Sequence, residues 1–324
     1  MLSKTLDLSE RRFHLPARRS FASVAALLVL AAMACGSAAT ATPELKPGSK
    51  PLAGGPLAEG DIQPILSTTV LRVGTQRVAF LLTTAKALVK EPQANVTSVY
   101  LGDGEAITET KIARFHLWPY GTRGSYSTEM TFDRSGPWRL DIMVDREAGP
   151  AGTQVAIDVA EKVPVPEIGA IPPLSPNKTV HTVSRLEELT SDYTPDPDLY
   201  QITIAEAAIS GRPSVIVFST PAFCTKPTCG PQADTLSELK ESHKGQANFI
   251  HVELYDNPAE IQGDLSRARY TNLVHVWGLS ALPHWFNESW TLVLGADGRI
   301  TQRFEAFASL EELEEALQSV LGRT

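Results

Sequence analysis

Hydrophobic and polar positions change rhythm several times along this chain, and each change marks a different kind of segment. The first apolar run, Phe21–Ala34 (FASVAALLVLAAMA), is unbroken but too short for an ordinary membrane span. Arg11, Arg12, Arg18 and Arg19 precede it, the layout of an export signal. Residues 36–60 (GSAATATPELKPGSKPLAGGPLAEG) lose all periodicity and are rich in Gly, Pro, Ala and Ser, the composition of a tether.

From Asp61 to Val163 the pattern becomes short runs separated by turn signals such as Gly102-Asp103-Gly104 and Ser135-Gly136-Pro137. Candidate strands are Thr69–Leu71, Arg77–Thr83, Asn95–Leu101, Lys111–Leu117, Ser125–Phe132, Trp138–Val144 and Thr153–Val159. Several short strands at this spacing predict an all-β sandwich of immunoglobulin-like type over 61–163. In GPWRLDIMV, Trp138, Leu140 and Ile142 share one face, which makes Trp138 a core residue. No catalytic constellation falls in this part of the chain.

Prolines 164, 166, 172, 173, 176, 195 and 197 then mark 164–198 as a semi-rigid linker crossing the surface of the next unit. Beyond it, over 199–324, strand and helix patterns alternate. Ile202–Ser210 reads as a short helix and Pro213–Phe218 (PSVIVF) as a buried strand, because Val215, Ile216 and Val217 are β-branched. QADTLSELKESH follows as a helix with Ala233, Leu236 and Leu239 on one face. Asn248–Tyr255 and Trp290–Leu294 read as further strands. Gly295-Ala296-Asp297-Gly298 reads as a hairpin turn and Arg299–Glu305 as its return. Ser309 and Glu312 form a capping box ahead of a last helix whose Leu310, Leu313, Leu317, Val320 and Leu321 share a face.

Charge and cysteine content narrow the chemistry. The formal net charge is −8, from 29 basic and 37 acidic residues. Removing residues 1–34 takes away five of the basic and two of the acidic ones, for a net of −11. With no basic patch, nucleic acid is excluded as an expected partner. Of the three cysteines, Cys35 closes the signal's apolar run. Cys224 and Cys229 stand together between the buried strand and the following helix, where a helix's free N–H groups and dipole favour a thiolate. Outside the cytoplasm this pair can be a redox-active dithiol or a structural disulfide. Two thiolates with a histidine (His251, His275 or His284) would also suit Cu(I). The alternative copper ligands are Cys224, Cys229 and His251. His251 and Glu253 alternate along one strand face, and if that face lies under the cysteine loop, Glu253 can move a proton during thiol–disulfide exchange.

VIVFSTPAFC entering the cysteine loop, ADGRI in the hairpin and SLEELEEAL in the last helix resemble the thioredoxin-like superfamily. More closely, the chain resembles exported bacterial lipoproteins in which an immunoglobulin-like domain precedes a thioredoxin domain. The residues that carry this are Thr220–Cys224, Cys229–Pro231, Phe249–Glu253, Trp277–Leu279 and Glu288–Leu292. The resemblance implies a multidomain protein, a sandwich followed by an α/β thioredoxin-like domain. It implies a thiol–disulfide oxidoreductase acting on protein thiols or disulfides in the cell envelope, with no cofactor. Cys224 is then the attacking thiol and Cys229 the resolving one, and Pro221, Phe223, Ser289 and Trp290 are the substrate-binding candidates.

There are two departures. The motif is C-x4-C where thioredoxins carry C-x2-C, and Ser289 stands where they place a cis-proline, so Glu288–Ser289 is expected to be trans. Regular helix would hold residues five apart about 8–9 Å between Cα atoms, too far for a disulfide. Pro227 disfavours helix at Lys226. A turn over Thr225–Thr228 is therefore expected, with the helix starting at Gly230–Pro231 and Cys224 the more accessible sulfur.

Ala34-Cys35-Gly36 at the end of the apolar run resembles a bacterial lipoprotein signal, in which the cysteine is acylated and becomes the mature N-terminus; Arg18-Arg19 also fits twin-arginine export. The expected location is the cell membrane, lipid-anchored and facing the periplasm or exterior. Cys35→Ser should release the protein from membranes and abolish its labelling by a fatty acid. Wild-type protein that stays soluble and unlabelled would end this reading.

Overall fold

The alternation in the first half of the chain becomes a bent β-sheet. The computed structural model describes residues 60–119, 121–224, 228–283, 285 and 288–322. The expected signal, Cys35 and nearly all of the tether lie outside these residues, as do Thr225–Pro227. Among the described residues the first eight strands are β1 (Gln63–Leu66), β2 (Leu71–Arg72), β3 (Gly74–Thr83), β4 (Gln93–Tyr100), β5 (Thr110–Leu117), β6 (Gly124–Phe132), β7 (Gly136–Arg146) and β8 (Gly149–Ala160). Seven of them overlap the expected strands. The eighth, β1, was hidden by Pro64, which sits on an edge strand where its missing N–H is tolerated.

Hydrogen bonding orders this sheet β1-β3-β6-β5-β4-β7-β8-β2. Phe80 and Phe132 near one end share a core with Trp138 and Ile157 near the other. The sheet therefore folds back so that its two halves face each other. Trp138 is wholly buried there, its ring centroid 5.2 Å from that of Phe132.

The second half builds a layered unit. Its helices are α1 (Ile204–Ala208), α2 (Cys229–Ser242), α3 (Pro258–Ile261), α4 (Asn272–Val276) and α5 (Leu310–Leu321). Its strands are β9 (Ser214–Ser219), β10 (Asn248–Glu253), β11 (Trp290–Leu294) and β12 (Ile300–Glu305), ordered β10-β9-β11-β12. β10 runs parallel to β9, and β11 runs antiparallel to both β9 and β12. This is the strand arrangement of a thioredoxin-like fold. Val215 and Val217 pack under Leu236 of α2 and Leu313 and Leu317 of α5. Ile216 and Phe218 pack on the other face with Ile204 of α1, Val274 of α4 and Trp277. With both faces covered, all six residues of β9 are buried, which is why its middle, Val215–Phe218, is apolar without alternation. The expected capping box at Ser309 and Glu312 is formed. The hairpin after β11 needs Gly298 in the left-handed region (φ 75°), where an added Cβ would collide with the Ala208 carbonyl.

The proline-rich segment 164–198 is more than a connector. Gly169 donates to the Ile300 carbonyl (2.7 Å), and Ile300 donates back to Ala170 (2.9 Å), so the segment borders β12. Val165, Ser175, Thr179 and Leu189 are buried. Trp277 Nε1 donates to Ser175 Oγ at 2.9 Å. Lacking regular periodicity, the segment offered no sequence sign of these contacts.

The two sheets meet through buried charge. Arg77 of β3 grips the Glu312 carboxylate through Nε (2.7 Å) and an Nη (3.1 Å), and its other bonds go to the carbonyls of Glu305 and Phe307. Ser127 Oγ donates to the same carboxylate at 2.6 Å. Glu305 in turn accepts from the Thr69 and Val70 backbone N–H groups, at 2.8 and 2.9 Å. Burial works to raise the pKa of Glu312, but Arg77 and the hydrogen bonds outweigh it and hold the value at about 2.

Arg77→Met would strand that carboxylate, and urea unfolding should register a loss of about 3–5 kcal/mol at neutral pH. The sign follows from a depressed native pKa. The stabilisation is present above the carboxyl's ordinary value and is lost as pH falls toward 2. The wild-type protein should therefore lose stability along that acid limb, and the variant should lack Glu312's share of the loss. Equal limbs in both proteins would contradict the pairing.

Candidate functional site

β9 delivers the chain into the cysteine loop at the end of the sheet. Thr220 ends the run fully buried, and its carbonyl accepts from the N–H groups of Phe223 (3.2 Å) and Cys224 (3.1 Å). That turn lifts Pro221–Cys224 to a half-exposed position. The described chain resumes at Thr228, and α2 begins at Cys229, one residue before the expected start. Of the turn expected over Thr225–Thr228, all but Thr228 lies outside the described residues. Cys224 and Cys229 are joined by a disulfide with a Cα–Cα distance of 6.0 Å, inside the range such a bridge needs. Cys229 is wholly buried at the first turn of α2, whereas Cys224 is half-exposed, as the loop's position implied.

Glu253 lies under this loop. β10 pairs with β9 in a register that sets Glu253 beside Ser219, on the face that α2 covers. Its carboxylate accepts from the Ser191 N–H (2.8 Å) and Ser191 Oγ (2.7 Å), and from the Tyr255 N–H (3.3 Å). Ser191 Oγ also accepts from the Ala222 N–H at 3.2 Å and lies 3.4 Å from Thr220 Oγ1. One hydroxyl thus links the buried acid to the backbone that carries Cys224. Burial pushes the Glu253 carboxyl up to about 6, against the hydrogen bonds that favour its charged form. Ser191 was missed because it sits in the segment read as a linker, and no local pattern marks it.

The remaining candidates fall in different places. His251 shares the Glu253 face, as alternation required, but both ring nitrogens are engaged inside the core. Tyr200 Oη lies 2.7 Å from Nδ1 and Ser219 Oγ 2.8 Å from Nε2. Burial lowers the pKa of His251 to about 4, so it is neutral. Its nitrogens are not free to join the cysteines as metal ligands without breaking those bonds. His275 is exposed on α4 and bonded to Ser280, and His284 lies outside the described residues. Among the described residues no three His, Cys, Asp or Glu side chains gather around a common metal position.

Trp290 and Ser289 are corrected as substrate contacts through their side chains. Trp290, on a strand β11 buried throughout, is 1% exposed, and Ser289, just before that strand, is wholly buried. All peptide bonds of the described residues are trans, Glu288–Ser289 included. Pro221 and Phe223 remain half-exposed beside Cys224. Phe223 begins a row of rings that continues through Tyr255, Tyr270 and Trp285, with centroid separations of 6.2, 5.0 and 5.7 Å.

No family model and no curated protein matches the chain. Among solved structures, 40% of the chain is similar to 99% of a thioredoxin family thiol:disulfide interchange protein from Chlorobium tepidum, at 13% identity and a TM-score of 0.28. Another 40% match covers 96% of the PKD domain of the human VPS10 domain-containing receptor SorCS2, at 14% identity and a TM-score of 0.19.

The raised Glu253 pKa has a measurable consequence. Its native form prefers the proton, so the stability it contributes is full below the ordinary carboxyl value and is lost as pH rises through about 6. The shift corresponds to about 2 kcal/mol. Unfolding measured from pH 4 to 8 should show this loss in the oxidised wild type, and Glu253→Gln should flatten it. An unchanged pH profile in the variant would mean that Glu253 titrates at its ordinary value.

Proposed function

We propose that this protein is an exported thiol–disulfide oxidoreductase, held at the cell membrane through a lipid on Cys35 and acting on protein thiols or disulfides of the envelope. In this reading the β domain is an immunoglobulin-like sandwich that stands between the tether and the thioredoxin-like unit. The observation that carries the proposal is the asymmetric pair: a half-exposed Cys224 bonded to a wholly buried Cys229 at the start of α2.

The asymmetry supports a division of labour. In the reduced protein the Cys224 thiolate attacks one sulfur of a partner disulfide, and the partner's other sulfur leaves as a thiolate. The Cys229 thiolate then attacks the Cys224 sulfur of the mixed disulfide, closing the intramolecular bridge and releasing the second partner thiol. Run backwards, the same steps oxidise a partner dithiol. The pair carries both electrons, so the exchange calls for no cofactor. The dipole at the N-terminus of helix α2 favours a thiolate at Cys229. Glu253, with a pKa of about 6, can take or return a proton near neutral pH, and Ser191 ties it to the loop that holds Cys224. Pro221 and Phe223 flank the exposed sulfur and form the contact surface for the partner.

Cys229→Ser should trap mixed disulfides through Cys224, and Cys224→Ser should trap none. The reduction potential of the wild-type pair should lie well above about −300 mV, the level below which structural bridges fall. Trapping only by Cys224→Ser would reverse the two roles. A potential below that level with no trapping by either variant would make the bridge a structural brace.

A further inference from the structure

The first turn of α2 buries a side-chain amide on the same side as its cysteine. Gln232 lies three residues after Cys229, and both are wholly buried. The Gln232 backbone N–H donates to the Thr228 carbonyl at 3.0 Å, so this turn is regular helix. Residues three apart on such a turn are neighbours on one face, about 5–6 Å between Cβ atoms. Helical side chains also lean toward the helix N-terminus, so the Gln232 amide reaches back over the turn that holds Cys229.

Only half of that amide is bonded. Its Oε1 accepts from the Ala308 N–H at 2.7 Å, just ahead of α5. Its Nε2 is buried and has no partner. Within α2 it is the one buried side-chain nitrogen or oxygen without a partner among the described residues. An orphaned donor in a protein interior is costly. Turning the amide over would not relieve it, because Nε2 would then face the Ala308 donor.

In the oxidised protein the Cys229 sulfur is committed to the bridge with Cys224. A sulfur in a disulfide carries no charge, whereas a thiolate takes a charge-assisted hydrogen bond, about twice as strong as a neutral one. Opening the bridge therefore creates, one turn from Nε2, the acceptor that the closed form lacks.

We propose that Gln232 donates a hydrogen bond from Nε2 to the Cys229 thiolate of the reduced protein, and so biases the pair toward oxidising partner dithiols. The inference rests on the dithiol reading above. In that direction a partner thiolate attacks the Cys224 sulfur, the Cys224–Cys229 bond breaks, and Cys229 leaves with the electron pair. The partner's second thiolate then attacks the partner sulfur of the mixed disulfide. Cys224 leaves as a thiolate, and the partner keeps the new disulfide. The Gln232 donor is unpaired before the first step and paired after it, so it stabilises the leaving group and the reduced product but not the oxidised form.

Two measurements read this bond. In the full chain carrying Cys35→Ser and Cys224→Ser, Cys229 is the one thiol, and ultraviolet thiolate absorbance follows its ionisation. Gln232→Met should make it about tenfold less acidic. In the chain that keeps both Cys224 and Cys229, the same substitution should make the pair about tenfold harder to reduce with glutathione, a fall of about 30 mV. Thr235→Val controls for loosening of the helix, since Thr235 is buried on α2 and its Oγ1 donates to the Pro231 carbonyl at 2.8 Å. It should move neither value. Thermal melts would establish that each variant is folded. If Gln232→Met does not fold, NMR of the Gln232 side-chain amide in the Cys224→Ser protein carries the test, and its proton resonances should titrate together with Cys229. Unchanged acidity and potential in folded Gln232→Met, an equal shift in Thr235→Val, or an amide that does not follow the titration would overturn the proposal. Trapping separates this inference from the reading beneath it. Mixed disulfides trapped by Cys229→Ser, with acidity and potential unmoved in Gln232→Met, overturn the hydrogen bond and leave the dithiol. No trapping by either cysteine variant overturns the dithiol reading and the oxidising bias with it, while the Cys229 titration still decides the bond.

Discussion

Parallel pairing of β9 with β10 is the constraint on which the candidate site depends. It sets Glu253 beside Ser219, one residue before the loop that climbs to Cys224. A shift of one residue would turn Glu253 to the opposite face, among Ile216, Phe218 and Trp277, where no hydroxyl bonds it. The register is secured by burial on both sides, since Val215, Val217, Ile216 and Phe218 each fill a different position in two separate cores. Position then sets chemistry. The acid is desolvated enough to favour its proton, yet three hydrogen bonds keep its pKa near the physiological range.

The first sheet contributes to this unit through polar contacts rather than a shared apolar surface alone. Arg77 and Ser127 close on Glu312, and the Thr69–Val70 backbone closes on Glu305. Glu312 and Glu305 are each bonded by groups of the first sheet, and separating the sheets would break those bonds. The segment 164–198 works in the same direction. It borders β12, buries Val165 and Leu189, and supplies Ser191 to the acid under the cysteine loop. A stretch read from the sequence as a linker thereby becomes part of the candidate site.

Much of this was legible without coordinates because it rests on local rules. Strand period, turn residues and the Ser309–Glu312 capping box are set by neighbours within a few residues, and the elements formed close to where those rules put them. The order strand, cysteine loop, helix and hairpin likewise follows from short patterns. So does the greater exposure of Cys224, since a proline-bearing loop must leave the sheet before a helix can begin. The shared face of His251 and Glu253 needed only the two-residue period of a strand.

What the tertiary structure decided are the contacts between residues far apart in the chain. His251 could be read as a metal ligand until Tyr200, 51 positions away, and Ser219 occupied its two nitrogens. Trp290 could be read as a substrate contact until its strand was covered on both faces. Ser191, 62 positions from Glu253, carries no sequence signature at all, because its contact depends on how separate elements are docked. Local spacing determines which backbone a segment prefers. Burial, pKa and hydrogen-bond partners depend on what the rest of the chain places beside it.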